Sequence, residues 1–68
     1  MAKKTRTIIC RSEEFENRVY RLCDRYGIKN KNIASNVINN EIYVDIYSSS
    51  KKFDQICFKL GGLGKYYM

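Results

Sequence analysis

The pair Asn39-Asn40 divides the stretch Asn32–Tyr47 into two runs in which apolar and polar residues alternate. A period of two is the pattern of a strand with one buried face. Asparagine accepts positive φ better than most other non-glycine residues, so the pair suits a two-residue type I′ turn. Such a turn fixes the pairing register. Val37 then faces Ile42, Ser35 faces Val44 and Ile33 faces Ile46, which makes one face aliphatic; Asn36 with Tyr43, Ala34 with Asp45 and Asn32 with Tyr47 make the other. A hairpin is not stable alone, so the rest of the chain has to cover the aliphatic side.

The flanking segments are suited to that task. Thr5 to Cys10 is rich in β-branched residues and bounded by charge, which predicts a first strand. Ser12 offers an N-cap, with Glu13, Glu14 and Glu16 at the positive end of the helix that follows. Phe15, Val19, Leu22 and Tyr26 repeat at intervals of four, three and four and define its apolar face, with Cys23 on the flank. Gly27 is expected to stop the helix in a left-handed conformation, with Ile28 packing back, before a polar connector, Lys29 to Lys31. After the hairpin, Ser48, Ser49 and Ser50 supply a second N-cap, and Phe53, Ile56, Cys57 and Leu60 form a second apolar helix face that stops at Gly61-Gly62. Residues 62–68 read as a flexible tail or a short last strand. This order predicts an α+β fold of the ferredoxin-like kind, a βαββα(β) two-layer sandwich with both helices on one face of an antiparallel sheet. If the last residues do not pair, the sheet keeps two open edges.

At 68 residues, the chain has room for one domain, 1–68, of modest stability. Its hydrophobic content of 44% and charged content of 29% are those of a folded domain, not a disordered one. Cys10, Cys23 and Cys57 are odd in number and form no C-x-x-C pair, which argues against a disulfide framework and for a reducing compartment. By periodicity all three belong to the core. With no histidine, a zinc site would need all three thiolates and a carboxylate, so no metal is expected. Nothing resembles a signal peptide, and no apolar run approaches membrane-spanning length, so a soluble, cytoplasmic protein without membrane contact is expected. The seven carboxylates are dispersed and a histidine base is missing. The expectation is a protein that is not an enzyme and uses no small-molecule cofactor.

The net charge of +6 is focused. Arg18, Arg21 and Arg25 share one face of the first helix, while Glu13, Glu16 and Asp24 lie on a separate arc. Lys51, Lys52 and Lys59 lie on the second helix, and adjacent helices would join the six into one patch able to grip a phosphate backbone or an acidic protein surface. Residues 1–4 read as a basic N-terminal arm, and Lys3, Lys4 and Arg6 as its flexible electrostatic groups. A second surface is the sheet face turned from the helices, with Tyr43, Tyr47 and Asn36 beside Thr7 and Ile9. The tyrosines are four apart with Asp45 between them, and the aromatic run of RNA-recognition domains is missing, so partner docking or dimerisation suits this face better than base stacking. Gly61 to Lys65 follows a helix instead of preceding one, and is a helix stop, not a phosphate loop. The leading expectation is a small binding module engaging nucleic acid or a nucleoprotein complex through the helix-side patch. The alternatives are a protein-protein inhibitor or adaptor of the kind that phages and mobile elements encode, and a homodimeric scaffold built on the tyrosine face.

Overall fold

Two asparagines with positive φ organise the sheet. In the computed structural model, which describes residues 3–61 and 65–67, Asn39 and Asn40 have φ of 51° and 66°. They join β2 (Ile33–Ile38) to β3 (Glu41–Ser49) in the register the alternation predicts, with Val37 opposite Ile42, Ser35 opposite Val44 and Ile33 opposite Ile46. The pairing stops at Ile33, because Asn32 belongs to a 3₁₀ turn over Asn30–Asn32; the expected Asn32–Tyr47 pair is not made. On its other side β3 pairs antiparallel with β1 (Lys3–Cys10), and β4 (Lys65–Tyr67) adds to the free edge of β1. The sheet order is β2-β3-β1-β4.

Helices α1 (Glu13–Arg25) and α2 (Ser50–Leu60) start and stop on local chemistry. Ser12 Oγ accepts from the Phe15 N–H at 3.2 Å, and three glutamates fill the first turn of α1. At its end Gly27 takes φ 77° and donates to the Asp24 carbonyl, while the Ile28 N–H donates to the Cys23 carbonyl at 2.8 Å. This double closure is the Schellman arrangement, and it folds Ile28 back into the interior. Ser49 caps α2 by accepting from the Lys52 N–H, and Gly61 ends that helix at φ 65°.

The core lies on one side of the sheet. Ile8 and Cys10 from β1, Val44 and Ile46 from β3, Val19 and Cys23 from α1, and Phe53, Ile56 and Leu60 from α2 are all buried there, with Ile28 closing one end. All three cysteines are free; Cys57 is half-buried, and Cys23, expected on the flank, is buried outright. Among the described residues, no helix is long and apolar enough to cross a membrane.

Three expectations need correction. The first strand begins at Lys3, so the basic arm does not extend through residues 3 and 4, and Arg6 is an inward-facing strand residue only 6% exposed. Residues 1 and 2 lie outside the described set. The aliphatic face of the hairpin is covered over β3 and at Ile33 but not toward the turn: β2 is an edge strand that α1 touches at Ser35, and Val37 is 72% exposed. Ile9, on the opposite face, is buried. Of the last residues, 65–67 form a strand, while 62–64 and 68 lie outside the described residues.

Burial decides which apolar side chains stabilise the fold. Phe53→Ala is expected to cost about 3–5 kcal/mol in chemical denaturation, whereas Val37→Ala should stay within about 0.5 kcal/mol. A Val37 variant as costly as the Phe53 variant would show that the helix side of β2 is covered after all.

Candidate functional site

The topology brings α1's end and α2's beginning to the same end of the molecule, since β1 and β3 both have their Lys3–Ser49 pair there. The Lys52 Nζ lies 3.9 Å from the place a Cβ on Gly27 would occupy. All six cations singled out in the sequence, Arg18, Arg21, Arg25, Lys51, Lys52 and Lys59, are exposed. Among the described residues, no Lys or Arg nitrogen comes within 4.0 Å of an Asp or Glu oxygen, so Glu14, four residues before Arg18, does not neutralise it.

The six do not share one depression. Arg18 and Arg21 border a shallow hollow with Glu14 and Phe15 on α1. Lys51 and Lys59 border another with Tyr26, Asp54 and Phe58 along the outer crest of α2. Lys52 borders a third, with Lys3, Ser49 and Tyr47, at the end of the sheet. Arg25 is exposed in the last turn of α1 beside none of these.

Two further residues matter here, Phe58, which the sequence patterns did not single out, and Arg6, which they assigned to the arm. Phe58 is 83% exposed, two helical turns after Lys51 and next to Lys59, so a bare aromatic ring stands on the same side as two cations. Its phase was legible, because 58 falls opposite the 53, 56, 60 core stripe. Arg6 is the other. Its Nη2 donates to Ser50 Oγ at 2.5 Å and its Cζ sits 5.5 Å from the Phe53 ring centre, but Nε and Nη1 are buried without an acceptor. Residues 6, 8 and 10 share one strand face, so the inward phase of Ile8 and Cys10 already implied its position.

The tyrosine face is not an open platform. Tyr43 is half-buried in a row between Asn36 and Ile9, and Tyr47 is 44% exposed in the next tyrosine row. Between them Asp45 accepts from Thr7 Oγ1 at 2.6 Å, which keeps a carboxylate in the middle of the sheet. Asn36 is exposed on the edge strand, and Ser35 next to it is tied to α1 by a 2.6 Å hydrogen bond with the Tyr20 hydroxyl.

The thiols are not poised for chemistry. Burial raises all three from the ordinary 9.0 to about 11; nearby Glu16 adds to the effect at Cys10, and Asp54 adds to it at Cys57 while Arg6 opposes it. No cluster of three or more His, Cys, Asp or Glu residues able to hold a metal occurs among the described residues. The chain matches no protein-family model, no curated protein and no solved structure.

A raised thiol value favours the protonated folded state, so the stability linked to these groups is complete below pH 9.0 and is lost as pH rises through about 11. At neutral pH the folded chain is expected to react with a thiol reagent at least about a hundredfold more slowly than the denatured chain, from thiolate fraction alone. The half-buried Cys57 should react first as the pH is raised. Rapid labelling at pH 7 would contradict the burial of all three.

Proposed function

We propose that the chain is a ferredoxin-like domain that works by binding, without catalysis, and that its partner is single-stranded nucleic acid. The strand and helix order and the placement of both helices on one sheet face support the fold assignment. The observation that carries the function is the crest of α2, where Phe58 stands bare between the unpaired ammonium groups of Lys51 and Lys59. An exposed aromatic ring offers any base a stacking surface, and cations beside it neutralise the flanking phosphates. Arg18, Arg21 and Arg25 on the neighbouring helix extend the positive field along the same layer of the molecule. Recognition of this kind is tolerant of sequence and steep in salt.

Asp54 lies within the same hollow and limits how closely a phosphate can settle there. The strand therefore has to pass along the lysine edges of the crest with a base turned onto Phe58. An acidic protein surface would meet the same cations and can pack its own aromatic or apolar side chains on the ring, so the oligonucleotide titration is what separates the two partners.

Titration with a random single-stranded oligonucleotide is expected to show affinity falling on the order of a thousandfold between about 50 and 200 mM salt if about six phosphates are contacted. Phe58→Ala should weaken binding about tenfold or more with little effect on stability, because stacking is worth about 1–3 kcal/mol per base and the ring is exposed. Arg21→Glu with Arg25→Glu should weaken binding further and flatten the salt dependence. No binding at the low-salt end would rule out nucleic acid and leave an acidic protein as the partner.

A further inference from the structure

The start of α2 departs from the way this chain treats its other helix. The first turn of α1 carries three glutamates against the positive end of the dipole, whereas the first turn of α2 holds no acid and carries Lys51 and Lys52. Arg6 reaches this same turn from β1, 94% buried by its 6% exposure, with its Nη2 on Ser50 Oγ and its Nε and Nη1 without an acceptor. A guanidinium cannot shed its charge by losing a proton. Helix dipole and buried guanidinium thus meet at Ser50, two lysines share the same turn, and the structure gives them no counter-charge within ion-pair distance among the described residues.

We infer that the start of α2 is an oxyanion site, taking a phosphate group at Ser50 with Arg6 as its buried cation. The Ser50 hydroxyl, 2.5 Å from Nη2, occupies the place an anionic oxygen would take. Ser50 is exposed, so rotation about its χ1 opens Nη2 to a ligand. The Lys52 N–H is already accepted by Ser49 Oγ, while the N–H groups of Ser50 and Lys51, one and two residues earlier, have no acceptor inside the helix. A phosphate held by Nη2 and these two amides has the contacts by which helix starts bind anions. Phe53 keeps the guanidinium in position from below. Asp54, a turn further along α2, lines the same hollow as Ser50, is exposed and lies beyond 4.0 Å from Arg6; its charge weakens the site without filling it. This assignment stands whether or not the chain binds nucleic acid.

The test is a titration of the ¹⁵N-labelled chain with inorganic phosphate at constant ionic strength, followed at the Ser50 and Lys51 amides. Saturable shifts at those two amides are expected, weakened about tenfold or more in Arg6→Met and strengthened roughly two- to fivefold in Asp54→Asn. Ser50→Asp places a carboxylate on Arg6 and at the dipole, so it should abolish the phosphate response and raise the melting temperature. That variant keeps the test decisive if Arg6→Met fails to fold. Shifts that do not saturate, or that persist unchanged in Arg6→Met or Ser50→Asp, would overturn the site. Oligonucleotides with and without a 5′-phosphate then separate the sources: a preference for the phosphorylated end at the same amides assigns a nucleic-acid terminus, and equal response with inorganic phosphate still bound assigns free phosphate. Saturable shifts with inorganic phosphate in a chain that binds no random oligonucleotide would overturn the oligonucleotide reading alone, and oligonucleotide binding without the phosphate response would overturn this site alone.

Discussion

The antiparallel ladder between β1 and β3 is the constraint on which the other elements depend. It runs from Lys3 opposite Ser49 to Cys10 opposite Ile42, and its inward rows carry Ile8 beside Val44 and Arg6 beside Ile46. Both helices lie on those rows, and each is connected in sequence to one of the two strands. The ladder joins segments more than thirty residues apart, so its closure costs loop entropy before any core contact forms. Once it is in place, the β2–β3 hairpin and both helix starts are local events. The same ladder sets the charged surface, because it fixes the end of the sheet at which α1 stops and α2 begins.

Most of the backbone was legible in the sequence because its signals are local. The Asn39-Asn40 turn, the Ser12 cap, and the Gly27 and Gly61 stops each act within a few residues, and each appears where its chemistry points. What the alternation could not tell was how far the covering layer extends. Val37 has the same phase as Val44 and Ile46, but burial there depends on the reach of two short helices, a tertiary quantity with no local mark. The charged residues divide in the same way. Helical periodicity correctly put Arg18, Arg21, Arg25, Lys51, Lys52 and Lys59 on water-facing surfaces, but it did not show that they border separate hollows. Arg6 departs from the arm expectation because strand phase outweighs charge there: the inward side of Ile8 and Cys10 extends straight to it.

The two helix starts show how one chain uses one physical rule in opposite senses. Three glutamates on α1 satisfy its dipole from within the sequence and help keep that helix fixed. On α2 the matching positions hold Ser50, Lys51 and Phe53, with Lys52 between the last two, over a guanidinium whose remaining hydrogen-bond donors find nothing to accept them. A domain of this size has little stability to spare. An arrangement that gives up favourable electrostatics at one helix start, when three acids are used at the other, is the physical ground on which the proposed anion site rests.

The edge strand β2 has a consequence of its own. Ile33 to Ile38 contains no charged residue and no proline, and apart from the Tyr20 tether at Ser35 no described contact shields its outer side. Lysines and prolines on such an edge are what usually deter strand addition between molecules. Here deterrence is left to the mutual repulsion of bodies that each carry +6. Added electrolyte screens that repulsion over a shorter and shorter distance, so the colloidal behaviour of the chain is governed by the solvent, with no safeguard written into the strand itself.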